Sequence, residues 1–170
     1  MITINAGQST SFPRIADAIE AAKAYAPMPV TIHIAPGRYH EKLTVSQPHV
    51  TLIGDDASNT ILTYDDYARE IMPDGIKRGT FRTYTLFLDA PDITLCNLTV
   101  ENAAGAGKEV GQAIALYAEG EGIRVENCRL IGSQDTLFTG PLPEKEKEPG
   151  GFRGPKEFAP RINGRQYYKN

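Results

Sequence analysis

From Val30 onward the chain alternates. Val30-Thr31-Ile32-His33-Ile34 puts an apolar side chain at every second position, and the same period runs through Lys42-Leu43-Thr44-Val45, His49-Val50-Thr51-Leu52-Ile53-Gly54 and Thr60-Ile61-Leu62-Thr63. A period of two marks half-buried strands, and Gly, Pro, Asp and Asn cut them into short pieces, with a turn at Pro36-Gly37. Before Val30 the period differs. Phe12, Ile15, Ile19 and Ala22 recur at helical spacing, which predicts one amphipathic helix over residues 11–22. Ser11 is its expected cap, Pro13 suits its first turn, and Pro27 and Pro29 end it. Residues 64–79 are polar and charged and read as an inserted loop.

Further on, the strand pattern repeats. Residues 92–102 lie over residues 122–132 at an offset of thirty, so that Ile93, Leu95, Leu98 and Val100 fall on Ile123, Val125, Cys128 and Leu130. At the same offset Thr85-Leu86-Phe87-Leu88 lands on Ala115-Leu116-Tyr117-Ala118, and His49-Val50-Thr51-Leu52 reads as an earlier copy stretched by the 64–79 loop. Short-strand copies at such a period describe a solenoid, in which no copy buries its apolar face alone and copies must stack. No helical segment separates the strands, which disfavours a βαβ sheet. The expected fold is all-β, a parallel β-helix, with the short N-terminal helix covering the open end of the stack. Residues 1–170 are expected to form one such domain, incomplete at its C-terminal end. Residues 141–163 are rich in Pro, Glu and Lys and form a long loop, either a border to a cleft or a surface excursion. Gly164-Arg165-Gln166-Tyr167-Tyr168 then opens what reads as another coil.

Composition excludes more than it selects. With 170 residues, 41% of them hydrophobic, the chain can bury a core, and a net charge of −3 gives no pull toward nucleic acid. No run is long enough to span a membrane. Cys96 and Cys128 sit in apolar strand patterns as free thiols, and His33, His40 and His49 are scattered, so no metal site is expected. The start lacks a basic and then apolar leader, which favours a cytoplasmic protein.

Candidate chemistry gathers around Gly132-Ser133-Gln134-Asp135-Thr136-Leu137-Phe138. Neighbouring side chains of an extended chain point to opposite faces, so Gln134 and Asp135 reach one cleft only if the backbone turns, which Gly132 and Ser133 permit. A second amide, Gln112, opens the apolar run Ala113-Ile114-Ala115-Leu116 twenty-two positions earlier. The alternative is that Asp135 is a plain turn residue and both glutamines are strand-end polars. Tyr39, Phe138, Tyr167 and Tyr168 are aromatics that either stack on sugars or fill the core.

Gly37-Arg38-Tyr39-His40-Glu41, Gly111-Gln112-Ala113-Ile114-Ala115-Leu116 and Ser133-Gln134-Asp135-Thr136-Leu137 resemble, in order, three signature segments of the pectin methylesterases (pectinesterases). Thr80-Phe81-Arg82-Thr83 and Leu98-Thr99-Val100-Glu101-Asn102-Ala103-Ala104-Gly105 resemble that family's intervening text. The resemblance implies a right-handed single-stranded parallel β-helix of the pectin lyase-like kind, acting as a carboxylic ester hydrolase on methyl-esterified galacturonan. It implies Asp135 as general acid toward the leaving methoxide and then base toward water. Gln134 is implied as an oxyanion donor, Gln112 as the second amide at the transition state and substrate, and Thr80 as a substrate contact. Tyr39 and Glu41 match a signature segment with a packing and turn role.

It implies no metal or organic cofactor, a monomer, no nucleic-acid or membrane partner, and a family habit of secretion that runs against the missing leader. The family's nucleophilic aspartate and its later Arg and Trp lie beyond a Gly-Arg-Gln-Tyr-Tyr-like stretch. This sequence has no Trp and reads as roughly the first half of the enzyme, expected to be inactive as given. A β-helix lyase or glycoside hydrolase would need clustered or paired acids where only Asp135 stands. A non-catalytic carbohydrate-binding or structural β-helix is the other alternative.

Overall fold

The thirty-residue repeat is a strand register. Leu95 pairs with Val125, Val100 with Leu130 and Leu86 with Leu116, each thirty positions on. The computed structural model describes residues 2–170. One long sheet runs β1 (Ile2–Ala6), β2 (Val30–Ile34), β5 (Val50–Gly54), β8 (Thr94–Cys96), β11 (Ile123–Glu126) and β14 (Gln166–Lys169). A second runs β3 (Gly37–His40), β6 (Thr60–Tyr64), β9 (Thr99–Asn102) and β12 (Arg129–Ile131). The third runs β4 (Leu43–Val45), β7 (Leu86–Leu88), β10 (Leu116–Ala118) and β13 (Leu137–Thr139). Every pairing between these strands is parallel, and the chain visits the sheets in the order first, second, third, then returns one rung further on. This is a right-handed parallel β-helix.

Inward side chains stack in ladders down the axis. Ile32, Leu52 and Leu95 are in register and wholly buried, as are Leu86 and Leu116 of the third sheet. Burying each such side chain contributes about 1.5–3 kcal/mol, so the stack holds only when its copies coincide in register. Corners recur with the same period. Asn97 and Asn127 take φ of 54° and 51°, thirty positions apart, and Asp92 and Gly122 take 55° and 74°. Left-handed backbone favours Gly, Asn and Asp, which is why these residue types recur where β8 and β11 begin and end.

The helix is shorter than its sequence predicts. Helix α1 spans Ile15–Ala22 and packs Ile15, Ala18, Ile19 and Ala22 against β1, β2 and β4, closing that end of the stack. Ser11 does not cap it. The Ile15 and Ala16 N–H groups both donate, at 2.9 Å, to the carboxylate of Glu41. A charged acceptor on two orphan N–H groups favours starting the helix there rather than at Ser11. Strands β1 and β3 add to the predicted set, and Gly37 begins β3 rather than ending a turn. Tyr39 is buried on β3 and its hydroxyl donates to the Ala35 carbonyl at 2.8 Å, so Tyr39 and Glu41 serve packing and capping.

Candidate active site

On every rung a strand of the second sheet turns a corner into a strand of the third. The four corners are residues 41–42, 65–85, 103–115 and 132–136. Thr80 lies in the second corner, Gln112 in the third, and Gln134 and Asp135 in the fourth. All four residues therefore occupy one column on the flank, on consecutive rungs. Backbone bonds stitch the column together. The Ala113 N–H donates to the Gln134 carbonyl at 3.0 Å, and the Ala68 N–H to the Gln112 carbonyl at 2.9 Å. The Gly79 N–H, beside Thr80, donates to the Ala68 carbonyl at 3.0 Å.

The backbone bends over Ser133–Asp135, and Asp135 takes φ 57°. A left-handed aspartate is uncommon outside tight turns. Here it ends the bend, so that Gln134 and Asp135 are not held to the alternation of a strand. The turn is docked from the rung above. The Gly107 N–H, at the start of the short helix α2 (Gly107–Val110), donates to the Ser133 hydroxyl at 2.9 Å. A methyl group on Gly107 would come within 2.8 Å of both Cβ and Oε1 of Gln134. Gly107 is thus the space in which the Gln134 side chain lies. Gly107→Ala is expected to displace that side chain and to cost about 1–3 kcal/mol of stability, readable by thermal unfolding. An unchanged melting temperature would contradict it.

Among the described residues, the Gln112 and Gln134 amides, the Asp135 carboxylate and the Thr80 hydroxyl make no hydrogen bond to another residue. Gln134 and Asp135 are exposed, while Gln112 and Thr80 are half-buried. Two amide donors, a hydroxyl and a carboxylate are left unspent in one column. Such a set can donate to an oxygen that gains charge and exchange a proton with a leaving group or water. Two acids of the second corner are committed. Asp66 pairs with Lys42 and with Arg78 at 2.9 Å, and Glu70 holds Arg78 at 2.6 Å.

The column rests on side chains that sequence reasoning did not single out. Asn102 is buried at the end of β9, and its amide nitrogen reaches the carbonyls of Asp66 (3.0 Å), Thr83 (3.0 Å) and Ile114 (3.2 Å). Its carbonyl oxygen accepts the Ala104 N–H at 3.0 Å. One amide therefore ties both arms of the second corner to the third. The buried Thr83 hydroxyl donates to the Thr80 carbonyl at 2.7 Å and accepts the Ile114 N–H at 3.0 Å, which fixes the turn that carries Thr80.

Aromatic rings cover the outer face of the third sheet beside the column. Phe138 packs on Phe81 and Tyr117, with centroids 5.0 and 4.9 Å away, and belongs to this outer cluster; Tyr167 and Tyr168 are exposed on β14. Residues 141–163 lie across the same face. Phe152 packs against Phe81, and Lys156 reaches Asp89 at 2.6 Å and Glu119 at 3.9 Å. Glu119 is buried, which pushes its carboxyl above the usual range, while the Tyr117 hydroxyl (2.9 Å) and Lys156 oppose the shift. Burial also raises the Cys128 thiol, to about 11, consistent with an inert core thiol. Among the described residues, no group of three or more His, Cys, Asp or Glu side chains is arranged to hold a metal ion.

Comparison with known proteins bears on the family and the fold. The family model described as Pectinesterase matches residues 1–142. The chain is 38% identical over 130 residues to a probable pectinesterase/pectinesterase inhibitor of Arabidopsis thaliana, covering 75% of this chain and 22% of that protein. The pectin methylesterase PemA from Erwinia chrysanthemi superposes with a TM-score of 0.74 at 29% identity, over 82% of this chain and 46% of that one. A pectin methylesterase solved in complex with a hexasaccharide matches at the same TM-score, 0.74, and 29% identity, over 82% of this chain and 46% of that one. The chain thus spans less than half the length of these relatives.

Proposed function

This chain belongs to the pectinesterase family, and we propose that its corner column is the proton-transfer and oxyanion half of a site that hydrolyses methyl esters of polygalacturonate. Asp135 gives its proton to the departing methoxide and later takes one from the attacking water. Gln134 and Gln112 donate to the oxygen that becomes negative when the ester carbonyl is attacked. Thr80 contacts the sugar chain. An amide suits the donor role because it adds no charge beside a carboxylate whose protonation state the reaction depends on. The observation that carries the reading is the set of unspent polar atoms on Thr80, Gln112, Gln134 and Asp135, on three consecutive corners. A relative solved with a hexasaccharide supports a carbohydrate as the substrate.

The reaction asks for a second carboxylate, ionised, to attack the carbonyl and carry the acyl group. In this column Asp66 and Glu70 are held by Lys42 and Arg78, so neither is free to attack. The resemblance to the family puts the attacking aspartate on a later rung, and we place the nucleophile there. Asp135 also needs such a neighbour, since like charges in one cleft hold one of the two protonated. Residues 1–170 alone are expected to release no methanol from methyl-esterified pectin. A polypeptide that adds the rung with the second carboxylate is expected to release it. Release by the 170-residue protein would overturn the division of roles, and an inactive longer polypeptide would overturn the function.

A further inference from the structure

The chain holds one Asn-Gly pair, Asn163-Gly164, just ahead of β14. Asparagine is a thermolabile residue, and a following glycine makes it more so. Once the glycine nitrogen loses its proton it can attack the side-chain carbonyl carbon of the asparagine, and no Cβ stands in the way. A fold suppresses this reaction by holding the attacking N–H and the side chain in hydrogen bonds. It does so at the corresponding acidic pair, Asp74-Gly75. There the Gly75 N–H donates to the Met72 carbonyl at 2.8 Å, and the Asp74 carboxylate accepts the Ile76 N–H at 2.9 Å. At Asn163-Gly164 nothing is held. Among the described residues, neither the main chain nor the side chain of this pair makes a hydrogen bond to another residue. Asn163 is exposed, in a stretch without regular structure. Fixed points stand on either side. The Arg161 guanidinium donates to the carbonyls of Lys156 at 2.8 Å, Ala159 at 2.7 Å and Glu157 at 2.9 Å. The Arg165 N–H donates to the Glu121 carboxylate at 2.8 Å, and its carbonyl accepts the Gly122 N–H at 2.9 Å. Packing also fixes the glycine, since a methyl group on Gly164 would come within 2.6 Å of the Gly120 carbonyl carbon.

We infer that Asn163 is a site of spontaneous deamidation, and that its conversion loosens β14 from the rung beneath it. The Gly164 nitrogen bonds to Cγ of Asn163 and the bond from Cγ to the side-chain nitrogen breaks. Ammonia leaves, its third hydrogen balancing the proton that the Gly164 nitrogen gave up. Water then opens the five-membered ring. Opening at the side-chain carbonyl leaves aspartate, and opening at the main-chain carbonyl leaves isoaspartate, whose backbone is one methylene longer. Water is the only co-reactant, and nothing is oxidised or reduced. The register of β14 on β11 runs from Gln166 on Ile123 to Lys169 on Glu126. A longer link ahead of Arg165 pulls against that register. Either product also places a carboxylate two residues from Arg165, where it competes with Glu121 for the guanidinium.

The test ages the 170-residue protein in warm buffer, from neutral to mildly alkaline pH, beside a free peptide of residues 161–167. Peptide mapping by mass spectrometry is expected to find OH in place of NH₂ at residue 163, with isoaspartate among the products. The rate is expected to rise with pH, because the attacking nitrogen must first lose its proton. It is expected to lie within about tenfold of the free peptide's rate, since an opening that breaks no hydrogen bond costs little. Asp74 is expected to stay aspartate over the same time. In the aged protein, hydrogen exchange is expected to quicken at the Gly122 and Asn127 N–H groups, which donate to the Arg165 and Lys169 carbonyls. It is expected to hold at the Arg124 N–H, which donates to the Ile93 carbonyl on the other side of β11. Asn163→Gln, aged alike, is expected to keep all three rates, because the six-membered ring it would need closes far more slowly. An Asn163 that lags the free peptide by more than that factor overturns the site. Conversion at 163 without faster exchange at Gly122, or a rise there that Asn163→Gln shares, overturns the loosening.

Discussion

Asn102→Asp is expected to lower the stability of the protein by more than about 3 kcal/mol, the upper range for leaving buried polar groups unpaired. The Asn102 amide nitrogen serves the carbonyls of Asp66, Thr83 and Ile114 from inside the fold. A carboxylate in its place has only acceptors to offer, so the Asp66 and Thr83 carbonyls lose this donor, the Ile114 carbonyl keeps the Thr85 N–H, and all three face a buried negative charge. For a chain of this length that loss is worth roughly 6–12 °C in melting temperature. Asn102→Ala removes the donor without adding charge and is expected to cost about 1–3 kcal/mol. The same Asn-to-Asp change at exposed Asn127 is expected to stay within about 0.5 kcal/mol. Thermal unfolding of the three variants reads all of this. Equal losses at 102 and 127 would show that Asn102 does not hold the corners together.

The second large effect is on rate. In a polypeptide that carries these residues together with the second carboxylate, Gln134→Ala is expected to lower kcat by about 10²–10³, the effect of deleting one oxyanion donor. Asp135→Asn is expected to cost about 10²–10⁴, because an amide neither gives a proton to methoxide nor takes one from water. Neither change removes a hydrogen bond that the fold uses, since both side chains are exposed and unbonded among the described residues. The melting temperature should therefore hold while kcat falls. Steady-state methanol release gives the rate and calorimetry the stability. A fall in both together would mean that the two residues act through the fold and not on the ester.

What the sequence makes legible follows from the distance over which each choice is made. The rungs are legible because their signal is local and repeated. An apolar residue at every second position, with a Gly, Asn or Asp where the backbone turns left-handed, recurs thirty positions on and coincides with the strand register. The turn at Gly132–Asp135 is legible for the same reason, since Gly and Ser beside an amide and an acid announce a break in the strand. Strand β3 is harder to read, because Gly37-Arg38-Tyr39-His40 offers one inward side chain, Tyr39, and opens on a glycine. The start of α1 is set across the fold. Ser11 and Pro13 are good local signals, yet Glu41, twenty-six residues on from Ile15, supplies the acceptor that decides it.

The supports of the column are illegible for the same physical reason. Asn102 ends a strand like any polar residue, and its three acceptors come from segments twelve to thirty-six positions away. Lys156 is one of several charges in a Pro-rich stretch, and only the folded chain brings it to Asp89 and Glu119. Sequence thus names groups that carry chemistry in their own side chains. It does not name the groups that hold them, whose role exists only once separate rungs are stacked.

That stacking puts Thr80, Gln112, Gln134 and Asp135 on corners of consecutive rungs; we propose that they share one mouth, and NMR of the 170-residue protein with a methyl-esterified galacturonate oligomer tests it most directly. The side-chain NH₂ signals of Gln112 and Gln134 are expected to shift together, with one apparent Kd, alongside the backbone signals of Thr80 and Asp135. Shifts confined to one rung, or different midpoints for the two amides, would contradict a shared mouth.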